Sequence, residues 1–200
     1  IHELIKKIII LSFFILPSIS ISDNEKINRI EVLVNEQMIT KHDIIQRIKL
    51  NSILNRIEIN ESNYNQLLNA VIDDLVTEKL KNIKIEEYNI VFNKDEFIEH
   101  EKRFYSNIGY EKNELIELFD LNDINYKYLE DYIQIDLKWQ KLIYGLYLRI
   151  ISVTDQEIID LINKNPDLSE DIASEIILQK QLEIKIKKLI KDLRDEATIE

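Results

Sequence analysis

Apolar residues recur along this chain at steps of three and four over long stretches, which is the period of helices with a buried face. The densest case is Tyr126–Ile150, which predicts one helix of about seven turns, broken by no proline and containing one glycine, Gly145. Tyr132, Ile135, Trp139, Leu142 and Leu146 stack on one face, and Leu129, Ile133, Leu137 and Tyr144 on a neighbouring one. A surface helix needs one apolar stripe. With nearly two, this helix is either buried among other helices or has a face belonging to something outside the chain.

The remaining pattern predicts shorter elements around it. Ile30–Asn35 and Met38–Thr40 flank Glu36-Gln37 and read as a β-hairpin. Thr40 and Asp43 have capping-box spacing and start a helix over Lys41 to about Ile57, with Ile44, Ile45, Ile48 and Leu50 inward. After the polar break at Asn60–Asn63 a second helix runs from Tyr64 to about Tyr88. Its stripe is Leu68, Val71, Ile72, Leu75, Val76, Leu80 and Ile83. Asn93 opens a third, carrying Phe97, Ile98, Phe104 and Tyr105, which Gly109 ends in the left-handed position of a C-terminal cap. Glu111–Leu121 is a short helix, and Thr154 with Glu157 makes a second capping box. Asn163–Leu168, with Pro166, is a linker. A last helix from Ser169 to about Asp195 buries Leu178, Leu182, Ile186, Leu189 and Leu193, ahead of a short tail or strand at Ala197–Glu200.

Composition supports a mainly helical reading. An apolar fraction of 45% suffices for a core, while two glycines and two prolines in 200 residues cannot supply the turns of a many-stranded sandwich or a glycine-rich phosphate loop. The absence of cysteine excludes disulfides, thiolate nucleophiles and cysteine-based zinc sites. A net charge of −11 argues against nucleic acid, whose binding needs a basic face, and against an anionic membrane surface.

The first residues have a different character. Lys6 and Lys7 precede the apolar run Ile8–Leu16, then Pro17 and the small residues Ser18, Ser20 and Ser22. A basic start, a short apolar centre and a small-residue site make a cleaved secretory signal over 1–22; an uncleaved anchor or a buried strand are the alternatives. Cleavage loses two positive charges and one negative, leaving −12 on an extracytoplasmic chain.

No catalytic constellation emerges. His2 lies in the signal, and His42 and His100 are expected to face solvent; Glu99-His100-Glu101-Lys102 is not a HExxH zinc motif. Asp73-Asp74 and Glu86-Glu87 are adjacent pairs whose members cannot share one pocket on a helix. With two glycines there is no GxSxG elbow.

The order of several segments resembles the SurA-type periplasmic chaperones. Val34-Asn35-Glu36-Gln37-Met38-Ile39-Thr40-Lys41-His42-Asp43 is similar to their opening hairpin-to-helix segment, and Ala70–Leu80 to their second helix. Gly109–Leu118, Tyr128–Ile143 and Val153–Ile158 resemble three further pieces, in order, so that the likeness spans about residues 28–162 and the last helix. At Asp123-Ile124 the chain departs from the family, where glycine is common, which bears on the local turn. Relatives commonly carry parvulin-like prolyl isomerase domains before the C-terminal helix. Such a domain needs on the order of a hundred residues, and Ile162–Asp167 leads almost directly into that helix.

The resemblance implies a multi-helix chaperone core over 23–162. A short linker at 163–168 stands in place of the isomerase domains, and a helix over 169–200 folds back so that Thr198-Ile199 pairs with the hairpin. It further implies a periplasmic, ATP-independent, non-enzymatic holdase for unfolded outer-membrane-protein precursors or apolar and aromatic peptides, needing no cofactor or metal. Client contacts are expected from the aromatic middle third, at Tyr105, Tyr128, Tyr132, Ile135, Trp139 and Leu142. The competing readings are a residual prolyl isomerase and a membrane-anchored adaptor.

Overall fold

The computed structural model describes residues 29–200; the signal-like segment 1–22 lies outside them. Strands β1 (Ile30–Val34) and β2 (Gln37–Thr40) form an antiparallel hairpin, in register from Val34 opposite Gln37 to Val32 opposite Ile39, with an irregularity beyond Val32. Asn35 takes the left-handed conformation at φ 52° in the turn, which asparagine tolerates better than most residues. Seven helices follow: α1 (Lys41–Asn55), α2 (Tyr64–Glu87), α3 (Lys94–Ile108), α4 (Lys112–Leu121), α5 (Lys127–Tyr147), α6 (Asp155–Lys164) and α7 (Glu170–Glu196). The fold is mainly α with one small hairpin.

Local chemistry accounts for most boundaries. At the start of α1 the Thr40 Oγ1 accepts from the Asp43 amide at 3.2 Å, while Asp43 Oδ2 accepts from the Thr40 amide at 2.9 Å. The same reciprocal box joins Asn93 to Glu96 ahead of α3 and Thr154 to Glu157 ahead of α6. Gly109 ends α3 at φ 67°, and Arg56 ends α1 at φ 54°. Asp123 stands at φ 52° between α4 and α5, the conformation that glycine adopts freely. Gln46 holds that turn from α1, its Nε2 donating to the Asp123 carbonyl at 3.1 Å and its Oε1 accepting from the Asn125 amide at 3.4 Å.

Helix α5 is shorter than its apolar pattern: residues after Tyr147 turn out of the helix, with the Ile150 and Ile151 amides both donating to the Tyr147 carbonyl at 3.0 Å. It is also the helix that joins two of the three apolar clusters. Leu129 and Ile133 pack with Leu50, Leu115 and Phe119, whereas Trp139, Leu142 and Ile143 pack with Ile85 and Leu182. The third cluster joins the hairpin to α1 and α2 through Val34, Ile39, Ile48, Val71 and Leu75. On α2 the deep residue near the C-terminus is Ile85, 3% exposed, and Ile83 is only half-buried. Ile85 rather than Ile83 meets the end of α5 and α7.

Helix α7 returns along the molecule and packs on α2, α5 and α6. Past its end the Leu33 amide donates to the Glu200 carbonyl at 2.9 Å and the Glu200 amide to the Leu33 carbonyl at 3.0 Å, with Val34 bridged to Ile199. Residues 198–200 thus edge the two-stranded hairpin through an isolated antiparallel bridge. Helix α6 runs on to Lys164, so the connection to α7 is shorter than the expected 163–168, and Leu182 of α7 packs in one cluster with Ile85, Trp139, Leu142 and Ile143. Among the described residues no helix is long and apolar enough to cross a membrane.

Candidate functional site

The residues with sequence-expected client contacts do not form one exposed stripe. Trp139 is 5% and Leu142 1% exposed, both committed to the cluster with Ile85 and Leu182. The reason is position: α5 is central, so its neighbours α2 and α7 cover the face that the pattern left unassigned. Ile135 is half-buried at the edge of the same cluster. Tyr132 lies under Arg47, whose guanidinium carbon is 5.2 Å from the ring centroid. The Tyr128 hydroxyl donates to Asp43 Oδ1 at 3.4 Å, and its ring meets His42 edge-on at 5.9 Å. Tyr105 shares a hydroxyl–hydroxyl hydrogen bond with Tyr126. Burial is the leading cause that raises the Tyr105, Tyr128 and Tyr132 hydroxyls above their ordinary pKa.

What the surface offers instead is a groove between α5 and the N-terminal half of α7, about 800 Å³ in volume. Trp139, Ile143 and Leu182 line it from the core side. Ile172, Ile176 and Tyr144 line it while standing 50%, 42% and 44% exposed. Helix periodicity explains the arrangement. Ile172 and Ile176 are one turn apart and off the Leu178–Leu193 stripe, so α7 carries a second apolar line that its own core does not use. That second line was readable at Ile172 and Ile176 as one step of four. The stronger Leu178–Leu193 pattern masked it.

The far side of α5 holds a smaller hollow against α3, about 450 Å³, which shares Gln140 and Tyr144 with the groove. Its wall is fastened by an ion pair: Lys141 Nζ donates to both Glu96 oxygens, at 2.7 and 2.9 Å. The Lys141 hydrogen bond, then that from the Asn93 amide, holds the Glu96 carboxyl below the ordinary carboxylate range. Glu183, on the groove wall, is likewise held low by Lys187 at 2.6 Å.

Beneath these surfaces runs a polar seam that includes His100, which was expected to face solvent. Arg47 is 5% exposed and its Nη2 meets Glu78 Oε2 at 2.5 Å. His100, expected outside, is 5% exposed, with its Nε2 2.9 Å from Asp136 Oδ2. It turns inward because α3 packs on α5 through the face that bears His100, and Asp136 supplies the partner. His42 is half-buried. Lys81 sits 5.4 Å from the Trp139 ring centroid, and burial lowers its amine below the ordinary lysine value against the opposing pull of Asp136, Glu78 and Asp74. Arg47 and His100 are each paired with an acid across two helices, whereas Lys81 lines a small hollow with Asp74, Glu78 and Asp136 without an ion pair among the described residues. Among the described residues no group of three or more acidic or histidine side chains could hold a metal ion.

The groove is therefore apolar, partly open and rimmed by charge. No protein-family model matches the chain, and no curated protein matches it.

Proposed function

We propose that this protein is an exported, ATP-independent holdase of the SurA-like kind, working in the periplasm on unfolded outer-membrane-protein precursors. The observation that carries the reading is the α5/α7 groove, where Ile172, Ile176 and Tyr144 remain roughly half exposed over a buried aromatic and aliphatic floor. Apolar surface of that kind is costly to leave in water unless something covers it. A floor built of Trp139, Ile143 and Leu182 accepts side chains of many shapes, as a binder of unfolded chains requires. The ordered segments and the signal-like start described from the sequence support the same reading and its cellular place.

Activity of this kind is binding alone. It masks aggregation-prone segments reversibly and lowers the free concentration of the species that self-associate. The test is light scattering of a urea-denatured porin diluted into buffer with an equimolar amount of the purified protein. Suppressed scattering is the expected result, and unchanged scattering rejects the reading. Acceleration of cis–trans exchange in a proline tetrapeptide would instead make the protein an isomerase.

A further inference from the structure

We infer that the groove selects aliphatic segments flanked by lysine or arginine over equally apolar segments flanked by acids. This rests on the groove being a client site and goes further, to the chemistry of the segment bound. The groove and the adjoining hollow meet at Gln140 and Tyr144, so a peptide crossing that ridge faces both rims. Around the groove stand Glu175 and Glu183 against Lys180, and around the hollow Asp95, Glu96 and Glu99 against Arg103 and Lys141.

Lys141 is spent on Glu96, and Lys187 neutralises Glu183. Of these rim groups Asp95, Glu99 and Glu175 form no ion pair among the described residues, nor do Lys180 and Arg103, so the unpaired rim groups sum to a single net negative charge. The rim is net negative, on a chain whose total charge is −11. Exposed charges of this kind contribute modestly one by one, yet they steer a cationic segment inward and repel an anionic one. The groove interior sets the other half of the preference. Ile143, Ile172, Ile176, Leu182 and Ile186 present aliphatic surface and outnumber the two aromatic rings, Trp139 in the floor and Tyr144 at the ridge. A leucine- or isoleucine-rich segment fills such a trough without needing a polar partner there.

Trp139 is the chain's single tryptophan, so its emission reports occupancy directly. The experiment titrates the protein with a tryptophan-free leucine-rich peptide carrying two lysines at each end, and with its glutamate-ended counterpart. The lysine-ended peptide is expected to bind about tenfold more tightly, a ratio that shrinks as salt screens the rim. Ile176→Glu, at a position 42% exposed and outside the core, is expected to abolish both titrations while leaving the helical circular dichroism unchanged. Glu99→Lys with Glu175→Lys should remove the preference for the lysine-ended peptide.

Equal affinity for the two peptides, or binding that Ile176→Glu leaves intact, overturns the inference. So does a concentration-dependent dimer dissolved by Ile176→Glu, which would make a second copy the occupant. Porin scattering, run on the same samples, separates this failure from failure of the holdase reading: suppression that persists without a charge preference removes only the selectivity.

Discussion

Arg47 carries a charge into the interior, and what surrounds it decides whether that charge is tolerated. Its guanidinium is 6% exposed, bonded to Glu78 at 16%, and lies over the Tyr132 ring. Removing one member of a buried pair strands the other in a medium that solvates it poorly, which costs more than the pair itself contributes. Glu78→Ala is therefore expected to lower the unfolding free energy by about 3–5 kcal/mol. The double variant Arg47→Met/Glu78→Leu should recover most of that loss. Urea unfolding followed by circular dichroism measures both; a double variant as unstable as the single one would contradict the account. The same logic explains why His100 lies inside: Asp136 is placed to receive its Nε2.

Among the elements, α6 depends most on its ends. None of its residues is fully buried, and it packs on α7 through half-buried Ile158, Leu161 and Ile162. Its N-terminus is held by Thr154 and Glu157, with Gln181 Nε2 donating to Glu157 Oε1 at 3.2 Å. The hydrogen bonds from Thr154 keep the Glu157 carboxyl below its ordinary pKa. A carboxyl lowered in the folded state contributes stability above its unfolded value, and that contribution disappears as pH falls through the folded value. Amide protection factors in α6 should thus be lower than in α5 at neutral pH and fall further, relative to intrinsic exchange at each pH, below the ordinary carboxylate range. Thr154→Ala should bring about the same loosening at neutral pH, at a cost of about 1 kcal/mol confined to α6. Hydrogen exchange resolved by segment decides it; uniform change across α5 and α6 would count against a locally held helix.

For the molecule as a whole, five of nine tyrosines, Tyr105, Tyr126, Tyr128, Tyr132 and Tyr147, have hydroxyls raised above the usual value near 10, burial leading in each case. They are spread from the α3–α5 contact to the end of α5. A phenol raised in the folded state contributes stability that is whole below its unfolded pKa and lost as pH rises through the folded one. Tyrosinate absorbance should accordingly have a late second stage, contributed by these five hydroxyls. The second stage should coincide with loss of helical circular dichroism above about pH 10. A single smooth titration with the helices intact would show that these rings do not bind the fold together.

Much of the architecture was legible because it is written in local chemistry. The boxes at Thr40–Asp43 and Thr154–Glu157 and the stop at Gly109 depend on residues three or four apart. So do the stripes Val71–Leu80 and Leu178–Leu193, and no other part of the chain is needed to set them. Asp123 at φ 52° was less obvious, since it needs Gln46 from α1 to hold the turn. Periodicity reports that a face is apolar but not which neighbour covers it. The choice of Ile85 over Ile83, the inward turn of His100 and the burial of Trp139 all depend on where α5 and α7 lie against α2 and α3. The candidate site moved for the same reason. By itself the sequence determined most of the helices, the capping boxes at Thr40–Asp43 and Thr154–Glu157 and a surplus of apolar surface on the long helix. Only the tertiary structure decided that α5 is covered by the chain itself and that the uncovered line runs along Ile172 and Ile176 of α7, because coverage is a property of pairs of elements distant in sequence.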